Sequence, residues 1–239
     1  MASGTLDAVA GSVNPQPQSR RDKAVATRLR IIRAATDLFD ELGYVGTRMV
    51  DVAKRADVAV QTVYFVFHTK PELLQACFEL AVLGEEGVPP PLQPFWRELK
   101  SAPTAEEALR WFAVGNGEIA SRAAKLDAAV RGALHEPEAA FVHAHNEGLR
   151  RAGFADVIAH LADRFGLRPG LTAERATDIL LTLAGPAVYR TLVTEYGWPH
   201  DEYVDWTAKA IVDALLGPGS NGECDLGISE VDVHDAEPL

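Results

Sequence analysis

The stretch VAVQTVYFVFHTK, from Val58 to Lys70, decides which fold class the chain adopts. Its centre, TVYFVF, has the β-branched and aromatic composition of a strand. As a strand it would be apolar on both faces, yet no convincing second strand is available to pair with it. On a helical wheel at about 100° per residue, the same residues separate into two faces. The apolar face holds Ala59, Val63, Val66 and Phe67, and the opposite face holds Gln61, Tyr64, Phe65 and His68. The stretch is therefore predicted to form a short amphipathic helix.

Helical patterns flank this stretch on both sides. Apolar residues recur at helical spacing from Arg28 to Leu42, and Gly43 is predicted to end that helix. Thr47 is predicted to be the N-cap of a shorter helix. Thr69 and Glu72 form a capping-box pattern that begins another helix, from Lys70 to about Leu83. Together these patterns predict an all-α fold that starts with a small three-helix domain.

The charge of the chain is unevenly distributed. The 239 residues carry a net charge of −11, but residues 20–74 contain ten Lys and Arg against seven Asp and Glu. A basic segment attached to an acidic body is typical of a nucleic-acid-binding arm. The two cysteines, Cys77 and Cys224, give no disulfide framework, and no apolar run is long enough to span a bilayer. A reducing cytoplasm is the predicted location.

The rest of the chain divides at Pro-rich and acidic segments. Predicted in order are a disordered tail over residues 1–19, the three-helix domain with its connecting helix over 20–84, and a Pro-rich connector over 85–103. A larger helical domain follows over 104–217, and an acidic disordered tail over 218–239. Within the larger domain, helices are predicted to begin at Thr104, Pro137, Thr172 and Pro199, and Pro186 is predicted to kink the third.

Two short helices joined by a tight turn at Ala56-Asp57-Val58 are the plan of a helix-turn-helix DNA reader. TRLRIIRAATDLFDELGYVGTRMVDVAKRADVAVQTVYFVFHTKPELL closely resembles the amino-terminal domain of TetR-type transcriptional regulators over nearly fifty residues. The segment GPAVYRTLVTEYGWPHDEYVDWTAKAIVDALLG more weakly resembles the last two helices of one branch of that family. A half-site reader of this size gains affinity by pairing, so a two-fold homodimer on a palindromic DNA operator is expected. The resemblance implies repression that is relieved by a small molecule.

The resemblance also assigns the DNA-contacting residues. It implies phosphate contacts by Thr47, Arg48, Tyr64 and Lys70, and a major-groove face that contains Val60, Gln61, Thr62 and Phe65. His68 lies on the same outward face of the helical wheel. Gln can bond the edge of adenine through two atoms, whereas Val60 and Phe65 occupy positions that are often polar or basic in the family. This departure favours contacts with thymine methyl groups.

A ligand site is predicted between the helices that begin at Thr104 and Pro137. Its members are mostly aromatic with a few polar groups: Trp111, Phe112, Asn116, Phe141, His145 and Tyr189. This composition favours an uncharged or weakly polar, mainly apolar effector. Gly115-Asn116-Gly117 inside a helical pattern indicates either a pocket wall or close helix packing. No metal site is predicted, because His143 and His145 are two residues apart and point to nearly opposite sides of a helix.

The apolar carboxyl-terminal helix pair is predicted to form the dimer interface, through Leu180, Leu183, Trp206, Ile211 and Leu215. The sequence contains no Gly-x-Ser-x-Gly elbow, phosphate-binding glycine loop or His-Glu-x-x-His motif, and neither an enzyme nor a cofactor is predicted. The alternative function is a ligand-binding or catalytic helical bundle whose amino-terminal domain docks another protein.

Overall fold

The computed structural model of the chain describes residues 19–85 and 87–217. The tails predicted to be disordered lie outside these residues, apart from Ser19, which caps the first helix. All regular structure in the described part of the chain is helical, which confirms the all-α prediction. The helices are α1 Arg20–Gly46, α2 Met49–Arg55, α3 Val60–Val66, α4 Lys70–Leu83, α5 Pro94–Ser101, α6 Ala105–Arg131, α7 Pro137–Arg164, α8 Ala173–Leu183, α9 Pro186–Tyr189 and α10 His200–Leu216. A 3₁₀ turn, Pro90–Leu92, precedes α5, and a π-helical turn, Arg190–Glu195, follows α9.

The opening stretch of the sequence forms α3, as the helical wheel predicts, and the start of α4. Ala59, assigned to the apolar face, is instead exposed at the N-cap position, because the helix begins only at Val60. Val63 and Phe67 are buried, while Gln61, Tyr64, Phe65 and His68 are exposed. Asp57, at φ 51, makes the tight turn between α2 and α3, a conformation that Asp tolerates better than most residues. The helix-turn-helix follows directly from this turn and the apolar face of α3.

Thr47 differs from its prediction. It lies just after α1, Arg48 occupies the N-cap position of α2, and the Thr47 side chain is 1% exposed. Its hydroxyl donates to the carbonyls of Leu38 (3.0 Å) and Gly43 (2.8 Å). Gly43, at φ 69, breaks the helix as predicted, and the carbonyls near this break attract the hydroxyl away from α2.

The core of the three-helix domain continues into the larger domain. Phe39, Val52 and Leu74 belong to the same hydrophobic cluster as Leu126 and Val142 of α6 and α7. A second cluster joins α5, α6, α7, α8 and α10 around Phe112, Ile158 and Leu180. Part of the predicted connector, α5, is thus a packed helix with Trp96 and Leu99 buried. The two domains are held together by continuous apolar packing.

Two predictions about the carboxyl-terminal helices are wrong. Pro186 begins a new helix, α9, after an extended Gly185, because proline suits the first turn of a helix. Leu180, Ile211 and Leu215 are fully buried in the core of the protomer and cannot form a dimer interface. Their spacing on α8 and α10 indicated an apolar face but not whether the protomer itself covers it. No helix in the described residues 19–85 and 87–217 has the length and hydropathy to cross a membrane.

Candidate nucleic-acid interface

The outward face of α3 is unusually apolar for a surface that solvent reaches. Phe65 is 83% exposed and Tyr64 is 49% exposed, and Gln61 is exposed beside them. Val60 and Thr62 are half-buried at the start of the helix. These five residues and the exposed His68 form the surface that we call the groove face. Exposed aromatic residues on a helix that completes a small core indicate a surface that binds a partner.

Two basic side chains, Arg48 and Arg28, already have partners inside the domain. Arg48 donates from Nε (2.6 Å) and from a terminal nitrogen (3.0 Å) to the two carboxylate oxygens of Asp51. This hydrogen bond holds the pKa of the Asp51 carboxyl below its ordinary value. Arg28 lies 4.5 Å from the ring centroid of Phe67, the residue that ends α3. A phosphate would have to share Arg48 with Asp51, whereas Arg28, which the sequence interpretation missed, stacks at the end of α3.

Lys70 forms hydrogen bonds with the backbone between α1 and α2. Its amine donates to the carbonyls of Tyr44 (2.9 Å) and Thr47 (3.2 Å) and lies 4.2 Å from the Tyr44 ring centroid. Burial lowers the pKa of this amine, against the raising influence of Glu138 and Glu136. Because an ammonium group has three N–H donors, one remains for a phosphate. Thr47 has no hydrogen-bond donor left for a phosphate, since its buried hydroxyl already bonds within the protein.

Polar contacts connect this domain to α6 and α7. The Tyr44 hydroxyl donates to Glu138 Oε2 at 3.3 Å, and Lys125 Nζ lies 2.9 Å from Asp40 Oδ2. Asn146 Nδ2 donates to Gln75 Oε1 of α4 at 2.9 Å. These contacts and the shared apolar core give the larger domain a direct mechanical connection to α1 and α4.

The residues predicted to form a ligand site do not come together. Phe112 is buried edge-to-face against Phe154, and Asn116 donates to the carbonyl of Ala184 at 2.8 Å. Phe141 is 75% exposed and His145 is exposed, so both lie on the solvent side of α7. Tyr189 packs against Tyr203 and lies 3.1 Å from the His200 ring nitrogen. The predicted facing of the α6 and α7 stripes is therefore wrong for Phe141 and His145.

The Gly-Asn-Gly segment is explained by close packing within an unbroken α6. A Cβ atom on Gly115 would lie 2.0 Å from Cγ of Phe95, and one on Gly117 would lie 2.9 Å from a methyl of Val204. Asn116 between them satisfies a carbonyl at the end of α8. The two glycines admit neighbouring side chains from α5 and α10.

A groove lies between α5 and α6. Its volume is about 540 Å³, its surface is mainly apolar, and it is lined by Gln93, Pro94, Phe95, Glu98, Trp111, Val114, Gly115, Glu118 and Arg122. Trp111 is the only predicted ligand residue in its wall. Arg122 Nε donates to the carbonyl of Ala81 (2.7 Å), and Gln93 Nε2 donates to that of Val82 (3.2 Å). Two residues of the groove wall are therefore attached to the last turn of α4.

A polar cluster between α6 and α7 was also missed. One ligand atom each from Asp127, His143 and Glu147 lies within 4.8 Å of the others. Burial acts to raise the pKa of Glu147, but the hydrogen bond and charge of Arg150 outweigh it and leave the pKa lowered. His143 and Glu147 are four residues apart, a spacing that places them on one helix face. That spacing was the available signal; their partner on α6 could not be identified without the packing of the two helices.

Comparison with known proteins identifies the family of the amino-terminal domain. Residues 31–77 match the sequence profile described as bacterial regulatory proteins, tetR family. No curated protein sequence matches the chain at a significant level. The fold is similar to that of the fatty acid degradation regulator FadR from Bacillus halodurans (16% identity, 78% of this chain and 94% of that chain, TM-score 0.64).

Two further solved structures resemble the chain. One is FadR from Bacillus subtilis in complex with stearoyl-CoA (18% identity, 80% and 99% coverage, TM-score 0.59). The other is NalD, the secondary repressor of the MexAB-OprM multidrug efflux pump in Pseudomonas aeruginosa (19% identity, 81% and 98% coverage, TM-score 0.60). At these identities the likeness shows the fold, which is that of TetR-family transcriptional regulators.

Proposed function

We propose that this chain, whose amino-terminal domain is that of the tetR family of bacterial regulatory proteins, is a homodimeric repressor that binds a palindromic operator and is released by a small, mainly apolar effector. The groove face of α3 is the observation that carries the proposal. It exposes Gln61, Tyr64 and Phe65 on a helix whose other side is locked into a complete core. A DNA-binding regulator would act in the bacterial cytoplasm.

The groove face supports a particular kind of base recognition. Phe65 and Val60 offer apolar surface to thymine methyl groups, and Gln61 offers an amide to an adenine edge. Phosphate contacts by Arg48, Tyr64 and the third N–H of Lys70 would hold the helix in register without reading sequence. We therefore expect an operator in which A·T pairs dominate the positions nearest α3.

The test begins with an operator obtained by selection from random DNA. Gln61→Ala should weaken binding to that operator by about 1–3 kcal/mol while leaving binding to scrambled DNA unchanged. Replacing the operator thymines by deoxyuridine removes only the methyl groups, and it should weaken wild-type protein more than Phe65→Ala. Unchanged operator affinity of Gln61→Ala would exclude base reading by Gln61, whereas a selection that enriches no DNA sequence would instead support protein docking by this domain.

The dimer is proposed to form through the side chains of the segment from α8 to α10 that the protomer itself leaves exposed. Trp206 is 38% exposed and packs edge-to-face with Trp198, with ring centroids 6.1 Å apart. Tyr196, two residues before Trp198, is exposed, and Leu183 is half-buried. Two half-site readers paired by a two-fold axis fit a palindrome. Sedimentation should give a dimer for wild type and for Leu42→Glu, a change on exposed surface of α1, and a monomer for Trp206→Glu. A wild-type protein that is monomeric at micromolar concentration would contradict the proposed dimer.

The groove between α5 and α6 is the proposed effector site. The Phe95 ring, seated on Gly115, and Trp111 supply apolar surface, and the Arg122 and Gln93 contacts with α4 supply a route to the DNA-binding domain. The stearoyl-CoA complex of one structural neighbour carries a long apolar chain, which is consistent with an apolar effector. An effector acts on operator affinity only by preferring one arrangement of α4 over another.

A neutral apolar dye, N-phenyl-1-naphthylamine, provides a first probe of this groove. Its fluorescence should rise on wild-type protein and on Phe141→Ala, whose aromatic ring is exposed elsewhere, and it should rise much less on Trp111→Arg. Operator binding by the dye-free Trp111→Arg protein should match wild type. Equal dye binding by all three proteins would place the effector outside the groove.

A further inference from the structure

We propose that Asp127, His143 and Glu147 bind a first-row divalent transition-metal ion such as Zn²⁺ where α6 crosses α7. This site is separate from the groove between α5 and α6 and does not depend on the proposed DNA-binding function. Three potential ligand atoms converge within 4.8 Å, from two helices that pack directly on each other.

The geometry needs only side-chain movement. His143 and Glu147 are one helical turn apart on α7, and Asp127 faces them from α6. Metal–ligand bonds of about 2.0–2.2 Å require neighbouring ligand atoms to lie roughly 3–3.5 Å apart. Closing the remaining distance of up to roughly 1–2 Å is within reach of the half-buried His143 and Glu147 side chains, while Asp127, 4% exposed, stays fixed.

The donor set indicates the class of ion. One imidazole nitrogen and two carboxylate oxygens suit Zn²⁺, Co²⁺, Ni²⁺ or Fe²⁺, whereas Mg²⁺ and Ca²⁺ prefer oxygen ligands throughout. Three protein ligands would leave at least one coordination position for water or a small anion. Leu126 and Val142, the chain neighbours of Asp127 and His143, belong to the hydrophobic cluster that the two domains share.

Two arginines would act as outer partners of the ligands. Arg131 donates to Asp127 Oδ2 at 2.7 Å, which leaves Oδ1 for the metal. Arg150 holds both oxygens of Glu147, at 2.7 and 3.1 Å, and is itself anchored on the carbonyl of Leu181. Such partners orient ligands but also neutralise them, so the attraction to a divalent ion is reduced. We therefore expect a dissociation constant on the order of micromolar.

The position of the cluster gives the site structural consequences. Asn146, adjacent to Glu147, is the residue that bonds Gln75 of α4, and Lys125, two positions before Asp127, pairs with Asp40 of α1. A bound ion would link α6 to α7 beside both contacts. It would thus stiffen the part of the larger domain that touches the helix-turn-helix domain.

Titration of the chelator-treated full chain with Co²⁺ tests the site, because cobalt in an asymmetric protein site has visible absorption bands. We expect one spectroscopically distinct Co²⁺ per protomer, displaced by Zn²⁺. His143→Ala and Glu147→Gln should each weaken binding about tenfold or more. His145→Ala is the matched control: it removes an exposed imidazole two residues away and should leave the titration unchanged. Circular dichroism melts confirm that each variant is folded.

Two results would overturn the proposal. One is the lack of saturable binding by wild-type protein up to about 100 µM Co²⁺ or Zn²⁺. The other is identical titration of wild type, His143→Ala and Glu147→Gln, which would assign the bound metal to other ligands such as Cys224 or His234 in the carboxyl-terminal region.

Discussion

The outward face of α3 and the inward face of α6 are both aromatic, yet the protein treats them in opposite ways. Phe65 is 83% exposed, only two residues from Phe67, which is buried. On α6, Phe112 is buried against Phe154 with ring centroids 5.1 Å apart. The helix-turn-helix domain has completed its core and still presents apolar surface, so its partner can dock without rearrangement. The inward face of α6, by contrast, is covered by the helices of its own protomer.

The largest expected effect comes from the aromatic pair of α3. Phe67→Ala removes a buried ring and the stacking partner of Arg28, and it should lower the free energy of unfolding by about 3–5 kcal/mol. Phe65→Ala removes an exposed ring and should change it by no more than about 0.5 kcal/mol. Chemical denaturation followed by circular dichroism measures both.

The same two variants separate folding from binding. Phe65→Ala should weaken operator binding although its stability is that of wild type. A loss of stability in Phe65→Ala comparable with that of Phe67→Ala would mean that Phe65 is covered, and the contrast between the two faces would not hold.

The second prediction concerns the closed face of α6. Gly115→Ala places a methyl group 2.0 Å from Cγ of Phe95, the fixed base of the ring, and should reduce stability by about 1–3 kcal/mol. Phe95→Ala should make the glycine substitution harmless, so the double variant should be no less stable than Phe95→Ala alone. Thermal melts of the three variants and wild type form the required cycle. Additive losses would show that Gly115 and Phe95 do not share the same space.

The sequence was sufficient for α1 to α4 because each element there is determined locally. The helical wheel predicted α3, Gly43 predicted the break in α1, and Thr69 predicted the start of α4. Thr47 was the exception. Its hydroxyl had a choice between the N-terminus of α2 and the carbonyls at the end of α1, and only the bend at Gly43 settles it.

In the larger domain, an apolar stripe identified a buried face but not its partner. Leu180, Ile211 and Leu215 face the protomer core, whereas the similar-looking Phe141 faces solvent. Which stripe is covered depends on how long helices pack, and that information lies in contacts between residues distant in sequence. Asp127 could not be identified as the partner of His143 and Glu147 for the same reason, because its position depends on how α6 packs against α7.

The third prediction concerns a glycine, Gly148, at which substitution by alanine should stabilise the protein, the opposite of the effect expected at Gly115. Gly148 lies in the interior of α7 and is exposed, and a Cβ atom there would meet nothing within 4 Å. Gly148→Ala should therefore raise the free energy of unfolding by about 0.5–1 kcal/mol, because alanine favours the helix. A thermal melt under the conditions used for Gly115→Ala measures the difference. A destabilised Gly148→Ala protein would indicate that a second protomer covers this surface of α7.

The smallest expected effect is at the contact between the two domains. Burial, together with the charge and hydrogen bond of Glu138 and the charge of Glu136, raises the pKa of Tyr44 to about 12 from its ordinary value of 10. The folded state therefore favours the neutral phenol. Its contribution to stability is complete below pH 10 and is lost as the pH rises from 10 to 12.

Tyr44→Phe isolates this contribution, since phenylalanine keeps the ring that packs on Phe39 and lies beneath Lys70. At pH 7 the substitution should lower the free energy of unfolding by only about 0.5 kcal/mol, because the hydrogen bond to Glu138 is long, at 3.3 Å. Between pH 10 and 12 wild type should lose stability faster than Tyr44→Phe, and the two stability profiles should converge and then cross. Cys77, whose burial raises its pKa to about 12, titrates in both proteins and cancels from the comparison. Parallel pH profiles would show that Tyr44 is solvated, and that Glu138 does not connect α7 to the helix-turn-helix domain in solution.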